Sequence, residues 1–501
     1  MDKEYKPVHG IWSNRWVFIL AATGSAVGLG NIWKFPYIAG EYGGGAFVLV
    51  YLLCIAVIGV PIMVAEVMLG RRGGLSPIHT MAKLARDSKV SSRWVIVGFI
   101  GALAGFLILS FYSVVAGWSL YYVTEMGRGA LDAVDAETAG ATVSGLLASP
   151  MTLLVCHTLF MIGTMAVVAH GVERGLERAV MVLMPALFVL LLILFGYAIN
   201  SGGFAEGASF MFSVDFSRFT WDAFLVALGH AFFTLSLGLG AIMAYGAYMP
   251  REVEDKAGKK KPVSIGSTVL TIAALDTIVA IMMGLVVFPI VFANGLNPAE
   301  GPGLMFVTLP IAFGQMPMGV LFGTLFFILV VCAAWSSSIS LGEPLVAWLV
   351  ENGHSRRKAA SIIAVAAWVL GVGTVLSFNL WSEATFLRGT FFNNIDFLTS
   401  SILLPLGGLL IAIFAGWVMK ETQARKELQM QNFSVYLVWR AMVRVFAPLG
   451  LVIVFVFTLA QAFSGSEDVQ QADEPAAVEG EYEPVADMET DYLTEEENAG
   501  Q

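Results

Sequence analysis

The stretch GSAVGLGN, residues 24–31, places three glycines and an asparagine inside a run apolar enough to cross a membrane. Glycine destabilises a helix interior by about 1 kcal/mol relative to alanine, so a helix is expected to open here. An opened helix presents unpaired backbone N–H groups that attract anions and unpaired carbonyls that can bind a cation. These residue types predict a site for an anionic group together with a cation.

A second interruption of the same kind lies in HAFFTLSLGLGAIMAYGAYMP, residues 230–250, where Gly238 and Gly240 flank a leucine. Two interrupted spans at corresponding positions are typical of transporters built from inverted repeats, in which the breaks meet near the membrane midplane. Glycines also act as close-packing points between membrane helices, and a single cluster would favour that explanation. Two matched clusters favour a broken-helix site.

Polar side chains in other apolar segments could complete this site. The run LDTIVAIMMG contains Asp276, and SSSIS begins at Ser336. A carboxylate at membrane depth is costly and usually functional, although a structural hydrogen-bonding role is the alternative. Oxygen ligands suit a hard cation, whereas a transition-metal site would need thiolate or imidazole ligands that these segments do not offer.

The elements that must position these residues are long apolar helices. The chain has 501 residues, of which 57% are hydrophobic and 13% charged, against about 25% charged in soluble domains. Its apolar runs reach the roughly 17–25 residues that cross a bilayer, and they do not alternate as barrel strands would. We predict an all-α polytopic membrane protein with about eleven spans. The predicted spans are 14–37, 43–69, 94–124, 150–169, 177–199, 221–248, 264–293, 318–350, 358–377, 393–419 and 437–463.

Charge placement orients the predicted spans. With the amino terminus in the cytoplasm, only Lys34, Arg128, Arg218 and Arg388 of the 28 basic residues lie outside. Lys and Arg concentrate on the cytoplasmic side of membrane proteins. We therefore predict a cytoplasmic amino terminus and, with eleven spans, an extracytoplasmic carboxy terminus.

Composition divides the chain into three parts. Residues 1–11 form a cytoplasmic amino-terminal tail, and residues 12–463 form the transmembrane domain. Residues 464–501 hold 13 acidic and no basic side chains. A segment so charged and so poor in apolar residues is expected to be disordered. We assign this extracytoplasmic tail no function.

Four separated stretches resemble motifs of the neurotransmitter:sodium symporter family. They are GSAVGLGNIWKFPYIAGEYGGGAFVLVYL from residue 24, FFTLSLGLGAI from residue 232, GPGLMFVTLP from residue 301 and SSSISLGEP from residue 336. The resemblance is to the bacterial amino-acid transporters of the LeuT type, in their eleven-span branch. It implies a LeuT-type inverted-repeat fold with broken first and sixth transmembrane helices, in a bacterial plasma (inner) membrane.

The resemblance also implies two sodium sites. For the first sodium ion, the implied ligands are Ala26, Asn31, Thr234 and Asp276. For the second sodium ion, the implied ligands are Gly24, Val27, Ala333, Ser336 and Ser337. Much of the family has asparagine at position 276, and a chloride ion balances the sodium charge in its chloride-dependent members. An aspartate supplies that charge itself, so the resemblance implies transport that does not need chloride.

The substrate is expected between the same breaks. The resemblance implies that its carboxylate lies against the amides of Leu29 and Gly30 and the hydroxyl of Tyr112. The residues implied near its amine are Ala26, Phe233, Thr234 and Ser236. The residues implied around its side chain are Ile108, Phe233, Leu239, Ser337 and Leu341. Monoamine carriers place an aspartate where this chain has Gly28, so an α-amino acid with its own carboxylate is expected.

The pocket implied for the side chain is apolar, which predicts a hydrophobic neutral L-amino acid. Because an apolar pocket discriminates by only about 1–3 kcal/mol per methylene, several such substrates are expected.

Gates on both sides of the site follow from the resemblance. The implied outer gate consists of Lys34 and Asp396, with Phe233. The implied inner gate consists of Trp12, Tyr248 and Glu351. The basic partner of Glu351 is left open: His9 stands at the position of the family's arginine, and Arg15 and Lys6 are the alternatives.

We therefore expect a sodium-coupled symporter that imports hydrophobic neutral L-amino acids by alternating access. Its expected partners are the amino acid, sodium ions and membrane lipid, without nucleic acid, and we expect no enzyme activity and no catalytic residues. A non-transporting amino-acid receptor on the same fold is one alternative, and a carrier of GABA-like or osmolyte substrates is another. For Glu66 and Glu343, two acids in the apolar spans, a structural role and a proton-coupling role are both open.

Overall fold

The computed structural model describes residues 10–217, 219–254, 260–299, 301, 303–430 and 432–464. Residues 1–9 of the amino-terminal tail, which include Lys6 and His9, lie outside the described residues. So do Arg218 and residues 465–501 of the acidic tail. The predicted division into two tails and a transmembrane domain therefore stays a prediction.

The described chain is almost entirely helical. The first nine helices are α1 Arg15–Ala26, α2 Gly30–Glu41, α3 Gly45–Gly73, α4 Pro77–Asp87, α5 Ser92–Gly127, α6 Ala136–Leu147, α7 Pro150–Ala169, α8 Val172–Ile199 and α9 Phe204–Phe212. The remaining helices are α10 Trp221–Thr234, α11 Ala241–Ala247, α12 Ile265–Ala293, α13 Leu304–Gln315, α14 Gly319–Glu351, α15 Arg356–Ser377, α16 Phe391–Val418, α17 Glu421–Leu428 and α18 Phe433–Ala460. Strands β1 Glu252–Glu254 and β2 Lys260–Pro262 pair antiparallel between α11 and α12.

Local sequence signals fix several helix ends. The Asn14 side chain accepts hydrogen bonds from the backbone N–H groups of Trp16 and Val17 and so caps α1. Ser264 caps α12 in the same way. Short polar side chains are favoured at this position because they satisfy donors that the first helical turn leaves unpaired. Gly74, with a φ of +66°, ends α3 in the left-handed conformation that glycine adopts easily.

Nine of the described helices are long and apolar enough to cross a membrane, and the pair α1 and α2 makes a tenth when counted as one bent span. The axes of α1 and α2 differ by 55°. The predicted span 221–248 is two short helices, α10 of 14 residues and α11 of 7 residues. Since neither piece reaches the length of a membrane span, the count of eleven stays a prediction.

Helix α5 runs through the middle of the packing and contacts α4, α7, α14 and α15. Its glycines bring it close to the segment between α10 and α11. A Cβ atom on Gly101 would lie 2.9 Å from the Gly240 nitrogen, and one on Gly105 would lie 3.4 Å from the carbonyl oxygens of Leu239 and Leu341. Only small residues allow backbones to approach so closely. The core thus holds the α10–α11 connection against α5 and α14.

Candidate functional site

The two helix breaks lie side by side in the protein interior. The Ser236 hydroxyl, in the α10–α11 break, donates a hydrogen bond of 2.7 Å to the carbonyl oxygen of Ser25 in α1. A Cβ atom on Gly30 would lie 3.4 Å from the Phe233 ring at the end of α10. The unpaired backbone groups of both breaks therefore face a common region.

A carboxylate from α12 joins the two breaks. Asp276 is fully buried. Its Oδ1 accepts a hydrogen bond of 2.8 Å from Nδ2 of Asn31, and its Oδ2 accepts one of 3.2 Å from the Thr234 hydroxyl. The Asn31 Oδ1 accepts in turn from the Gly28 nitrogen at 3.1 Å. Three residues predicted for the first sodium site are thus in contact, and the fourth, Ala26, is the last residue of α1.

A second oxygen cluster lies between α1 and α14. The Ser337 hydroxyl is 3.1 Å from the Val27 carbonyl oxygen and 3.3 Å from that of Gly24, and donates to both. The neighbouring Ser336 hydroxyl donates to the Ala333 carbonyl at 2.9 Å. The five residues predicted for the second sodium site are therefore adjacent in the fold.

Gly28 leaves no room for a side chain. A Cβ atom there would lie 2.5 Å from the Ser337 hydroxyl and 3.0 Å from the Tyr112 hydroxyl. The Leu29 nitrogen donates towards the Tyr112 hydroxyl at 3.4 Å, a long contact. The Leu29 amide, which is predicted to bind the substrate carboxylate, thus lies beside Tyr112, which is predicted to contact the same group. An aspartate at position 28 would collide with the hydroxyls of Ser337 and Tyr112.

A cavity bounded by α2, α5, α10 and α16 extends from this region. Its lining includes seven of the predicted residues: Leu29, Gly30, Lys34, Ile108, Tyr112, Phe233 and Asp396. Sequence reasoning missed the other large side chains of its wall: Trp33, Tyr37, Phe111, Val115, Trp118 and Phe392. Along α5, the spacing of Ile108, Phe111, Tyr112, Val115 and Trp118 follows one helix face, and that period could have identified them.

Several residues predicted to contact the side chain or the amine of the substrate lie outside this cavity lining. Leu239 and Leu341 meet at Gly105 of α5, where both of their carbonyl oxygens are close. Thr234, Ser236 and Ser337 are buried behind the cavity, in the two oxygen clusters and at the contact between the breaks.

The outer gate residues border the cavity. The Lys34 Nζ lies 5.7 Å from the centre of the Phe233 ring, within the range of a cation–π contact. The Asp396 Oδ1 accepts a hydrogen bond of 2.8 Å from the Ser400 hydroxyl on the next turn of α16. Both charged residues line the cavity.

The inner gate residues surround the start of α1. The Trp12 backbone nitrogen donates to the Tyr248 carbonyl at 3.0 Å, and its indole Nε1 donates to the Tyr245 carbonyl at 3.1 Å. Glu351, at the end of α14, accepts hydrogen bonds from the Ser76 nitrogen at 2.7 Å and from Nδ1 of His79 at 2.5 Å. The carboxylate of Glu351 is thus bound by residues at the start of α4, which sequence reasoning did not identify.

Two further acids have defined partners. The Glu343 carboxylate pairs with Arg356 and accepts a hydrogen bond of 2.7 Å from the Tyr248 hydroxyl. Glu66 accepts a hydrogen bond of 2.5 Å from the Gly238 nitrogen in the second break. Each acid therefore stabilises a specific backbone or side-chain arrangement.

Comparison with known proteins identifies the family. The family model described as "Sodium:neurotransmitter symporter family" matches residues 9–132 and 132–471. The chain belongs to this family. It is 36% identical over 459 residues to the uncharacterized sodium-dependent transporter YhdH of Bacillus subtilis, covering 90% of this chain and 98% of that protein. It is 32% identical to an uncharacterized sodium-dependent transporter of Haemophilus influenzae, covering 89% of this chain and 98% of the relative.

A solved structure supports the same assignment. The structure of MhsT in complex with L-phenylalanine matches this fold with a TM-score of 0.81 and 43% sequence identity, and the match covers 90% of this chain and all of MhsT. The symporter therefore has the LeuT-type fold predicted from its motifs. It is a sodium-dependent, multi-pass membrane transporter and not an enzyme, as the sequence predicts.

Proposed function

We propose that this symporter couples the inward movement of sodium to that of a hydrophobic neutral L-amino acid, without chloride. The observation that carries the proposal is the buried Asp276 carboxylate, which joins Asn31 of the first break to Thr234 of the second. A carboxylate in a membrane interior is energetically costly, and a bound cation would stabilise it.

Two sodium ions fit the oxygen clusters. Asp276, Asn31 and Thr234 would bind the first ion together with the carbonyl of Ala26. When the second ion binds, the Ser337 hydroxyl would turn its single hydrogen away from the Gly24 and Val27 carbonyls, so that all three oxygens could face the ion. Carbonyl, hydroxyl, amide and carboxylate oxygens are the ligands of hard cations.

The substrate follows from the chemistry of Gly28 and its neighbours. The backbone N–H groups of Leu29 and Gly30 begin α2, where the helix dipole favours an anion. The substrate carboxylate would lie there, next to the first sodium ion and the Tyr112 hydroxyl. The aromatic and aliphatic cavity lining favours an apolar side chain, and MhsT, with the same fold, has been solved with L-phenylalanine.

Chloride independence follows from charge balance. Asp276 supplies a fixed negative charge where a chloride ion would otherwise balance sodium. Sodium and substrate would then stabilise one conformation together, and transport requires that they bind the outward-facing and inward-facing states with different affinity. We place the amino terminus in the cytoplasm, the carboxy terminus outside, and the protein in a bacterial plasma membrane.

Uptake of radiolabelled L-phenylalanine into proteoliposomes tests this function. We expect accumulation that needs an inward sodium gradient and continues when gluconate replaces all chloride. Sodium-dependent binding without accumulation would instead indicate the non-transporting receptor. Uptake of GABA or betaine in preference to phenylalanine and leucine would indicate the alternative carrier.

A further inference from the structure

The amino-terminal end of α1 is attached to neighbouring helices by specific polar contacts. Besides the contacts of Trp12 with the end of α11, the Arg15 guanidinium donates to the hydroxyls of Thr268 at 2.9 Å and Ser267 at 3.1 Å on α12. A third attachment, between Ser13 and Glu177, leads to α8. The start of α1 is thus joined to three different helices.

Of these three attachments, the contact between Ser13 and Glu177 is the one that involves a buried carboxylate. Oε1 of Glu177 accepts from the Ser13 hydroxyl at 2.5 Å, and Oε2 accepts from the Ser13 nitrogen at 3.2 Å. Glu177 is only 8% exposed. A buried carboxylate is costly unless donors satisfy it, and hydrogen bonds to an ionised acceptor are roughly twice as strong as neutral ones.

The Ser13–Glu177 contact lies at the end of α1 that is farthest from the helix break. Helix α1 has 12 residues and ends at Ala26, after which Val27 is extended, with a φ of −71° and a ψ of 107°. A half-helix bounded by such a break can pivot about it without distorting α2. Ser13 lies at the opposite end, about 18 Å from the break at 1.5 Å per helical residue. A tilt of α1 about the break displaces this end the most, so a contact at Ser13 restrains the tilt with the longest lever arm.

We infer that Ser13 and Glu177 form a clasp that holds α1 closed over the sodium sites, and that its release opens the site on this side. The inference rests on the alternating-access function proposed above. Glu177 is a positioning residue: it acts through α1, which supplies Gly24 and Ala26 to the sodium clusters. The family resemblance predicts Glu351 as the acid of the inner gate. In the structure, Ser76 and His79 bind the Glu351 carboxylate, and Glu177 is the acid that contacts Ser13.

Loss of the clasp should weaken sodium binding indirectly. If sodium binds only the closed arrangement of α1, its apparent dissociation constant rises in inverse proportion to the closed fraction. Removing a hydrogen bond to a charged group changes such an equilibrium by roughly tenfold. The variants Glu177→Ala and Ser13→Ala should therefore lower the apparent sodium affinity and raise the open fraction of α1, by factors whose product is about ten.

Hydrogen exchange of the full chain in lipid nanodiscs measures the opening directly. Without sodium, we expect the amides of α1 to exchange faster in Glu177→Ala and Ser13→Ala than in the wild type, by up to about tenfold if the closed state predominates. Saturating sodium should restore their protection. Ser13→Thr keeps the hydroxyl and should behave as the wild type in both exchange and sodium affinity.

The control variant is Asn14→Ala, which removes the α1 cap and a 3.3 Å hydrogen bond from Asn14 Nδ2 to the Ser13 hydroxyl but keeps both hydrogen bonds between Ser13 and Glu177. We expect faster exchange only in the first turn of α1 and unchanged sodium affinity. The inference is overturned if Ser13→Ala leaves α1 exchange unchanged, or if Asn14→Ala lowers sodium affinity as strongly. Exchange in α12 reports whether a variant is folded. Since neither readout uses an amino acid, a wrong substrate assignment would not affect this test.

Discussion

The two helix breaks contain the same Gly-Leu-Gly sequence but use its glycines for different reasons. In the second break, Gly238 and Gly240 have φ values of +79° and +71°, a backbone conformation that side chains rarely adopt. In the first break, none of the glycines has φ in this range, and Gly28 instead lies against two hydroxyls. The first break thus needs Gly28 for space. The second break needs its glycines for backbone conformation, and at Gly238 for space as well, because a Cβ atom there would lie 2.7 Å from the Leu404 carbonyl oxygen.

Asp276 is the residue that both breaks share. Asp276→Asn should have the largest effect, because the neutral amide cannot balance a sodium ion in a membrane interior. We expect sodium-dependent uptake to fall by about a hundredfold in chloride-free buffer. A loss of this size corresponds to the energetic cost of leaving a buried charge unpaired. Partial recovery in chloride would support the charge-balance argument, which fails if the variant transports normally without chloride.

Substitutions at Gly28 test the argument from space. Gly28→Ala places a Cβ atom 2.5 Å from the Ser337 hydroxyl. We expect substrate binding to fall by roughly tenfold or more, since overpacking commonly costs about 1–3 kcal/mol. Gly28→Asn should weaken substrate binding further, because asparagine is larger than alanine. A titration of phenylalanine binding with each variant measures the ranking.

Substitutions at Gly240 test the argument from conformation, and the expected ranking is reversed. Alanine in the left-handed region costs about 1–2 kcal/mol, whereas asparagine tolerates this region better. Gly240→Asn should therefore lower the midpoint of thermal unfolding less than Gly240→Ala. If alanine is the better tolerated residue at both positions, the two breaks do not differ in the way described.

Gly24 should show the smallest effect. A Cβ atom there would lie 2.9 Å from the Met184 sulfur, the flexible end of a side chain that can move. We expect Gly24→Ala to lower apparent sodium affinity by about fivefold, at the lower end of the range for overpacking. The double variant with Met184→Ala should regain most of the loss, and the absence of such recovery would locate the strain at Ser336 instead.

The sequence predicts the site better than its surroundings. Glycines at Gly24–Gly30 and Gly238–Gly240, and the oxygen-bearing side chains of Asn31, Thr234, Asp276 and Ser337, carry strong local signals because they are unusual in apolar spans. The structure brings these residues together in two clusters. The predicted interruption of span 221–248 at Gly238 and Gly240 lies between helices of 14 and 7 residues.

Partner choice at the ends of the helices could not be predicted. Neither Ser13 nor Glu177 is unusual for its position, and their contact spans 164 residues of sequence. The same holds for His79 and Glu351, which are 272 residues apart. Such pairs depend on how α1, α4, α8 and α14 pack, and no local pattern encodes that packing.

The most direct test of the account is the sodium dependence of L-phenylalanine binding to the purified protein, measured with phenethylamine as competitor. The two breaks are proposed to form one site in which sodium and the substrate carboxylate bind together. The account predicts tight phenylalanine binding in sodium, little binding in potassium, and no competition by phenethylamine, which lacks the carboxylate. Equal binding in both salts, or effective competition by phenethylamine, would contradict it.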